Sequence, residues 1–244
     1  MSEGRTTRVG VAADLFTGEA ATFLMAAHEL KSPLALIRQL SLSVEVGQVD
    51  AEEALRLVHQ IRLTSERALR LTSDVTRSAR QDTLFDLEPL NPISVCEEVA
   101  HELSPLFKAQ GKRIEVPGHA RPPLLVANHD LLKRVLLNFG DNALHYALTD
   151  QPVRLQVNGI GEQVRIGVRD YGPALPIDVW DKLIERLKSQ AAQPVGSRPQ
   201  SSGLGLYIAG QFAAMMNGTI GATRHRDGVT FYVDMAASRQ LSLL

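Results

Sequence analysis

Cysteine is almost missing from this 244-residue chain. Cys96 stands alone, which excludes an internal disulfide and any multi-cysteine metal site, and fits a reducing compartment. An excess of either charge is missing too. The 26 Lys and Arg are balanced by 27 Asp and Glu, so the basic surplus typical of nucleic-acid binders is absent. The opening MSEGRTTRVGVAADLFTGEA has no long apolar core of the secretory kind. No uninterrupted apolar run approaches the ~18 residues a membrane helix requires. These absences lead to the expectation of a soluble cytoplasmic protein, with no nucleic-acid partner and no membrane segment in this chain. What is present is an ordinary apolar share, 44%, enough for a packed core in one large domain or two small ones.

Periodicity divides the chain. Residues 1–16 show no clear pattern and read as a flexible lead. In 17–82, Phe23, Leu30, Ile37 and Val44 recur every seven residues, with Ala26, Pro33 and Leu40 three places on. Ala54, Ile61, Ala68 and Val75 repeat the spacing, joined by Leu57 and Leu71. Seven-residue apolar spacing in two arms predicts an all-α helical hairpin. Gly47 supplies the stop between the arms, and Asp50 with Glu53 supplies a capped restart. Each arm buries one stripe, so pairing with a second copy as a four-helix bundle, a homodimer, is expected.

Residues 83–92 contain Pro89 and Pro92 and read as a linker. From 93 to 236 the pattern is mixed: helices over 93–110, 129–147 and 203–216, and strands near 113–116, 124–127, 153–158, 163–169, 218–224 and 229–234. That mixture predicts an α/β sandwich of helices over one sheet. The polar stretch 173–202, with a short helix at Val179–Lys188, has the length of a lid over a ligand. Residues 237–244 are left as a tail.

Four strings carry candidate chemistry. His28 falls opposite the apolar stripe of its helix and is expected to face solvent, followed by Glu29. A surface His-Glu pair alone is commonplace, but Pro33 lies five residues on, inside a heptad pattern where proline costs ~3 kcal/mol. A neutral imidazole is a nucleophile, and a carboxylate holding one ring N–H fixes its tautomer. Asn138, Asn142 and His145 share one polar stripe of an otherwise apolar helix, as capping or packing groups or as amide oxygens suited to Mg²⁺. Asp170 continues the apolar face of Val164, Ile166 and Val168, where an unpaired charge is costly; a turn Asp ahead of Gly172 is the plain reading. In Ser201-Ser202-Gly203-Leu204-Gly205-Leu206, glycines ahead of a helix let its N-terminal N–H groups approach an anion, although a simple loop-to-helix start looks the same.

In order and spacing these strings, over about residues 20–235, resemble the H, N, G1 and G2 boxes of two-component sensor histidine kinases. The resemblance implies a dimerisation and phosphoacceptor domain followed by a Bergerat-type ATP-binding domain. His28 would then be the phosphoacceptor, with Glu29 beside it, and Ser32 stands where the family orients water with Thr. ATP would be held by Asn138, Asn142, His145, Tyr146, Asp170, Gly172, Ser202, Gly203, Leu204, Gly205 and Leu206, with Asp170 on the adenine amino group and Mg²⁺ on Asn138 and Asn142. The phosphoryl group would pass to an aspartate of a response-regulator receiver, and a separate sensor or input protein is a possible partner. Several positions depart from the family pattern: His145 replaces Lys, Ala174 and Ser201 replace Gly, and the lid string Leu183–Leu187 lacks its Phe.

Two rivals remain at this stage. A non-catalytic histidine phosphotransfer or scaffold dimer would keep the hairpin and have a degenerate nucleotide site. An ATP hydrolase of the same superfamily would need a carboxylate at position 138 to activate water, and Asn138 is not one.

Overall fold

The computed structural model describes residues 9–45, 50–78, 85–116, 118, 122–148, 150–189 and 204–239; the side chains of residues 9–25 and of His28, Ser78, Arg186, Lys188 and Ser189 are outside it. The chain forms two compact units, divided near Ala79 and Arg80.

The first unit is a helical hairpin of α1 (Val9–Glu45) packed on α2 (Ala51–Ser78). Ala26 and Ala68 are buried, and Leu30, Pro33, Ile37, Leu40 and Val44 are half-buried along the expected stripe. Leu63 and Asp74 are buried as well, off the heptad positions. The start of α1 corrects the expected flexible lead, because residues 9–16 are already helical. Alanines at 12 and 13 favour helix, and neither proline nor a cap interrupts the run. Pro33 lies inside α1 without ending it. Having no N–H, Pro33 cannot donate within the helix. Asp50 caps α2 as expected: the Glu53 amide donates to its Oδ1 at 2.8 Å. Gly47 is outside the described residues.

The second unit opens with a correction. Within the expected linker, β1 (Glu88–Leu90) pairs antiparallel with β3 (Leu125–Ala127), a small second sheet beside the expected one. The tail is engaged as well, since Ser238 N–H donates to the Leu124 carbonyl at 2.7 Å and Ala237 bridges Leu125. Three-residue strands are too short to show a period. The main sheet has five strands in the order β2 (Ile114–Glu115), β4 (Val153–Ile160), β5 (Gln163–Arg169), β7 (Gly228–Ala236), β6 (Thr219–His225). All neighbours are antiparallel except β2 with β4.

One face of this sheet is apolar and carries the helices. Val153, Leu155 and Val157 of β4, Val164, Ile166 and Val168 of β5, and Val229, Phe231, Val233 and Met235 of β7 are buried on it. Against them lie α3 (Pro92–Ala109), α4 (His129–Tyr146) and α6 (Leu204–Met215), while α5 (Ile177–Ser189) packs near β6. Asn91 and Asn128 cap α3 and α4 through their side-chain oxygens, at 3.0 Å to Ile93 N and 3.1 Å to Leu131 N. Phe139 of α4 stacks on Phe231 of β7 with ring centroids 6.0 Å apart. Cys96 is fully buried on α3, and burial, with Glu97 second, raises its thiol pKa to about 12, so it is unreactive.

An ionic cluster joins the outer sides of α3 and α4. His129 Nε2 lies 3.0 Å from Glu98, and Lys133 lies 3.4 Å from Glu98 and 3.2 Å from Glu102. Burial pulls the His129 pKa down, but Glu98 and Asp130 more than offset it, and the net shift is upward. The hydrogen bond from His129 is the largest cause of a lowered Glu98 pKa. The raised histidine contributes stability below its ordinary 6.5, lost as pH rises through the folded value. The lowered carboxylate contributes above its ordinary 4.5, lost as pH falls through the folded value. Both groups are partly exposed, so solvent screening keeps the effect to less than about 1 kcal/mol. Urea denaturation of wild type and His129→Gln across pH should therefore show a stability difference widest between about 4.5 and 6.5 and narrowing on both sides. A difference that does not vary with pH would contradict this reading.

Candidate functional site

The candidate residues of the second unit gather around α4, whose two sides have different tasks. Leu132, Val135, Leu136, Phe139 and Ala143 are buried. Asn138 and Asn142, four residues apart, are half-buried, and His145 is exposed. The expected polar stripe is therefore present, with its depth graded towards solvent at the C-terminal end.

The stripe meets the start of α6. Asn138 Nδ2 donates to the Arg134 carbonyl at 3.0 Å, which leaves its Oδ1 as the end that faces a neighbour. That neighbour is Gly205: a Cβ there would sit 3.2 Å from Asn138 Oδ1, tighter than ordinary contact. Glycine at 205 thus sets how closely the α6 terminus approaches the asparagine. Leu204 and Leu206 are buried and lock this end of α6. Ser202 and Gly203, expected to complete the anion-binding turn, lie outside the described residues.

The other end of α4 is tied to the turn after β5. Leu148 N–H donates to the Tyr171 carbonyl at 2.7 Å, and a Cβ at Gly172 would overlap the Tyr146 carbonyl. Lys112 Nζ donates to the Leu144 carbonyl at 2.5 Å, a cation on the helix C-terminus, and burial lowers its pKa. Tyr146 is half-buried beside the exposed His145, their rings tilted and 6.2 Å apart.

Asp170 is 2% exposed and continues the buried face of β5 as expected. Its Oδ1 accepts the Val229 N–H at 3.2 Å, and its own N–H donates to the Val229 carbonyl at 3.0 Å. This reciprocal pair fixes the carboxylate against β7. Residues that sequence reasoning passed over complete the arrangement: Arg169, Tyr171, Asp227 and Gly228. The one sequence signal for them is the Asp227-Gly228 dipeptide between two strands, a hairpin mark. Gly228 has φ +131°, and a Cβ there would meet the Asp170 carbonyl and carboxylate, so only glycine closes the hairpin onto this residue.

Asn142 Nδ2 is buried and has no hydrogen-bond partner among the described residues. A buried donor left without an acceptor is costly, and a phosphate oxygen is an acceptor. Amide oxygens at 138 and 142 are neutral hard ligands of the kind Mg²⁺ accepts beside phosphates. The residues present therefore fit a magnesium nucleotide. Among the described residues no cluster of His, Cys, Asp and Glu offers a metal site of another kind.

In the first unit, His28 lies in α1 between the buried Ala26 and the half-buried Glu29, and Ser32 is exposed. The expected outward direction of the His28 ring concerns a side chain outside the described part of the structure. The stretch expected as a lid is described as far as Ser189; its helix runs from Ile177, two residues before the expected start, and its Leu183 is buried. Arg224 Nε donates to the Leu175 carbonyl at 2.8 Å and ties the near end of this stretch to β6.

Residues 127–238 match the family described as histidine kinase-, DNA gyrase B-, and HSP90-like ATPase. Curated relatives include the sensor protein kinase PmrB of Pseudomonas aeruginosa, 28% identical over 206 residues, covering 83% of this chain and 42% of the relative. The adaptive-response sensory kinase SasA of Prochlorococcus marinus is 25% identical over 213 residues, covering 85% and 54%. The chain thus spans about half the length of the curated relatives it matches. The same fold occurs in the Acinetobacter baumannii histidine kinase AdeS, with TM-score 0.56 at 17% identity, covering 87% of this chain and 98% of that one. Full-length ShkA, solved in complex with AMPPNP, gives 0.58 at 20% identity, covering 89% and 46%. Among the described residues no helix is long and apolar enough to cross a membrane. Residues 127–238 thus form a domain of that ATPase family, and along more than four fifths of its length the chain is similar to sensor histidine kinases.

Proposed function

We propose that the chain is an ATP-dependent protein-histidine kinase that phosphorylates its own His28 and passes the phosphoryl group to an aspartate of a response-regulator receiver. The observation that carries the reading is the pair of asparagines on α4, Asn138 against Gly205 and Asn142 with its amide nitrogen buried and lacking an acceptor among the described residues. A hydrolase of this fold would need a carboxylate there. Asn138 binds and orients but cannot activate water, which leaves the phosphoryl group for another nucleophile.

In this reading Asp170 accepts a hydrogen bond from the adenine amino group, and Gly172 keeps the turn flat against Tyr146 to admit the base. Asn142, with Asn138, would hold Mg²⁺, which supplies charge neutralisation at the phosphates. The start of α6, Leu204 and Gly205, offers backbone N–H groups to the triphosphate, with Ser202 and Gly203 assigned to the same role by sequence alone, and His145 and Tyr146 line the α4 end of the site. One ring nitrogen of His28 forms the bond to the γ-phosphorus while the bond to the β-phosphate oxygen breaks and ADP leaves. Glu29 holds the proton on the other ring nitrogen. Positioning and charge neutralisation account for most of the rate in such transfers. Ser32 is the group that would orient water in the reverse, dephosphorylating reaction.

Dimerisation through the hairpin is part of the proposal. Leu55 and Leu69 of α2 are 71% and 70% exposed, and Leu34, Leu36 and Leu42 of α1 are exposed too. Apolar side chains on both helices left in water suit a second copy, giving a four-helix bundle.

Three measurements test this function. Incubated with labelled ATP and Mg²⁺, wild type should acquire acid-labile label and His28→Gln none; equal labelling of the variant would refute His28 as acceptor. Asp170→Asn should lose roughly tenfold or more in ADP affinity by calorimetry, the worth of one hydrogen bond to a charged group. Light scattering should give twice the 26.7 kDa chain mass for wild type and the single mass for Leu55→Glu with Leu69→Glu; a monomeric wild type would remove the bundle.

A further inference from the structure

Arg169 is the neighbour of Asp170 on β5 and points to the sheet face away from the helices, a face that carries the buried Thr230 and Asp234 beside partly exposed polar groups such as Arg165 and Gln156. Arg169 is nevertheless 6% exposed. Its burial comes from what it joins. Nη1 donates to the Asp170 backbone carbonyl, Nη2 meets Asp227 Oδ1 at 2.5 Å, and Nη1 reaches the Asp227 carbonyl at 3.5 Å. The guanidinium also lies 4.3 Å from the centroid of the Tyr171 ring. Asp227 sits in the β6–β7 turn, directly before Gly228 and two residues before Val229, whose N–H holds the Asp170 carboxylate.

The geometry points to Arg169 as a positioning residue for adenine recognition: by clamping the β6–β7 turn to the Asp170 backbone, it sets the carboxylate in the orientation that selects an amino group at purine position 6. This rests on the adenine role proposed for Asp170. Two neighbouring facts support it. Arg169 fixes Asp170 from the main-chain side while Val229 fixes it from the side-chain side, so the residue is held at both ends. The clamp also encloses Gly228, where an added Cβ would touch Arg169 and Asp170 together, so the three are packed without slack. Arginine suits the task because its planar fork serves several acceptors at once, whereas lysine serves as a point charge.

Selectivity between ADP and IDP tests the clamp, because inosine carries a carbonyl where adenine carries the amino group. The full chain is titrated with each nucleotide for wild type, Arg169→Met, Arg169→Lys, Asp227→Asn and Asp170→Asn. Arg169→Met should narrow the ADP-over-IDP preference about five- to tenfold, with Asp227→Asn and Arg169→Lys intermediate. A general loosening of the domain would weaken both nucleotides in parallel, so a fall in affinity with the ratio kept overturns the proposal. Asp227 has an exposed side chain, so its variant decides the matter should Arg169→Met fail to fold. If Asp170→Asn leaves ADP affinity unchanged, the adenine reading itself falls and the clamp with it. If Asp170→Asn loses affinity while the clamp variants keep the wild-type ratio, only the clamp falls.

Discussion

The packing of α4 is the constraint from which the rest of the second unit follows. One side of the helix must be apolar enough to lie on the sheet, which Val135, Leu136, Phe139 and Ala143 provide, and Phe139 stacked on Phe231 sets its rotation. Once that rotation is set, the residues at 138 and 142 have no freedom of direction, because side chains four apart share a face. The apolar packing thereby places the polar stripe. A one-residue change in the phase of α4 would bury the amides and expose the phenylalanine.

The helix is also held along its length. Gly205 lets α6 approach Asn138, the turn after β5 grips the C-terminal end through Leu148 and Gly172, and Lys112 takes up the Leu144 carbonyl. These contacts come from three distant parts of the sequence. A polar group held at its position by surrounding structure does not have to be ordered when a ligand arrives, and that is the usual source of affinity in a small site.

Much of this was legible beforehand, and the limits have physical reasons. Heptad spacing placed the hairpin, and Asp50 was readable as a cap because capping is a local hydrogen bond. Strand β5 was read to the residue, since alternation over Val164, Ile166 and Val168 is a strong periodic signal. The strand β1 and the engagement of Ala237 and Ser238 were missed, because each depends on pairing with a segment far away in sequence. Residues 9–16 were misjudged because Gly10 and scattered apolar residues blurred a helix that alanine sustains. At the candidate site, Asn138, Asn142, Asp170 and Gly205 stood out by residue type and spacing. Arg169 did not, because an arginine on the outward side of a strand is ordinarily solvated and only the folded hairpin shows what covers it.

On the proposed function, the two units divide the chemical requirements between them. The second unit supplies acceptors and donors for a nucleotide, yet at position 138 it has an amide where water activation would need a carboxylate. A bound triphosphate in such a site is oriented without a base beside it, so hydrolysis there is disfavoured by residue type alone. The first unit contributes an imidazole in His28 and a carboxylate in Glu29. On the proposed function, the nucleophile belongs to one unit and the oriented electrophile to the other, so phosphoryl transfer needs groups from both.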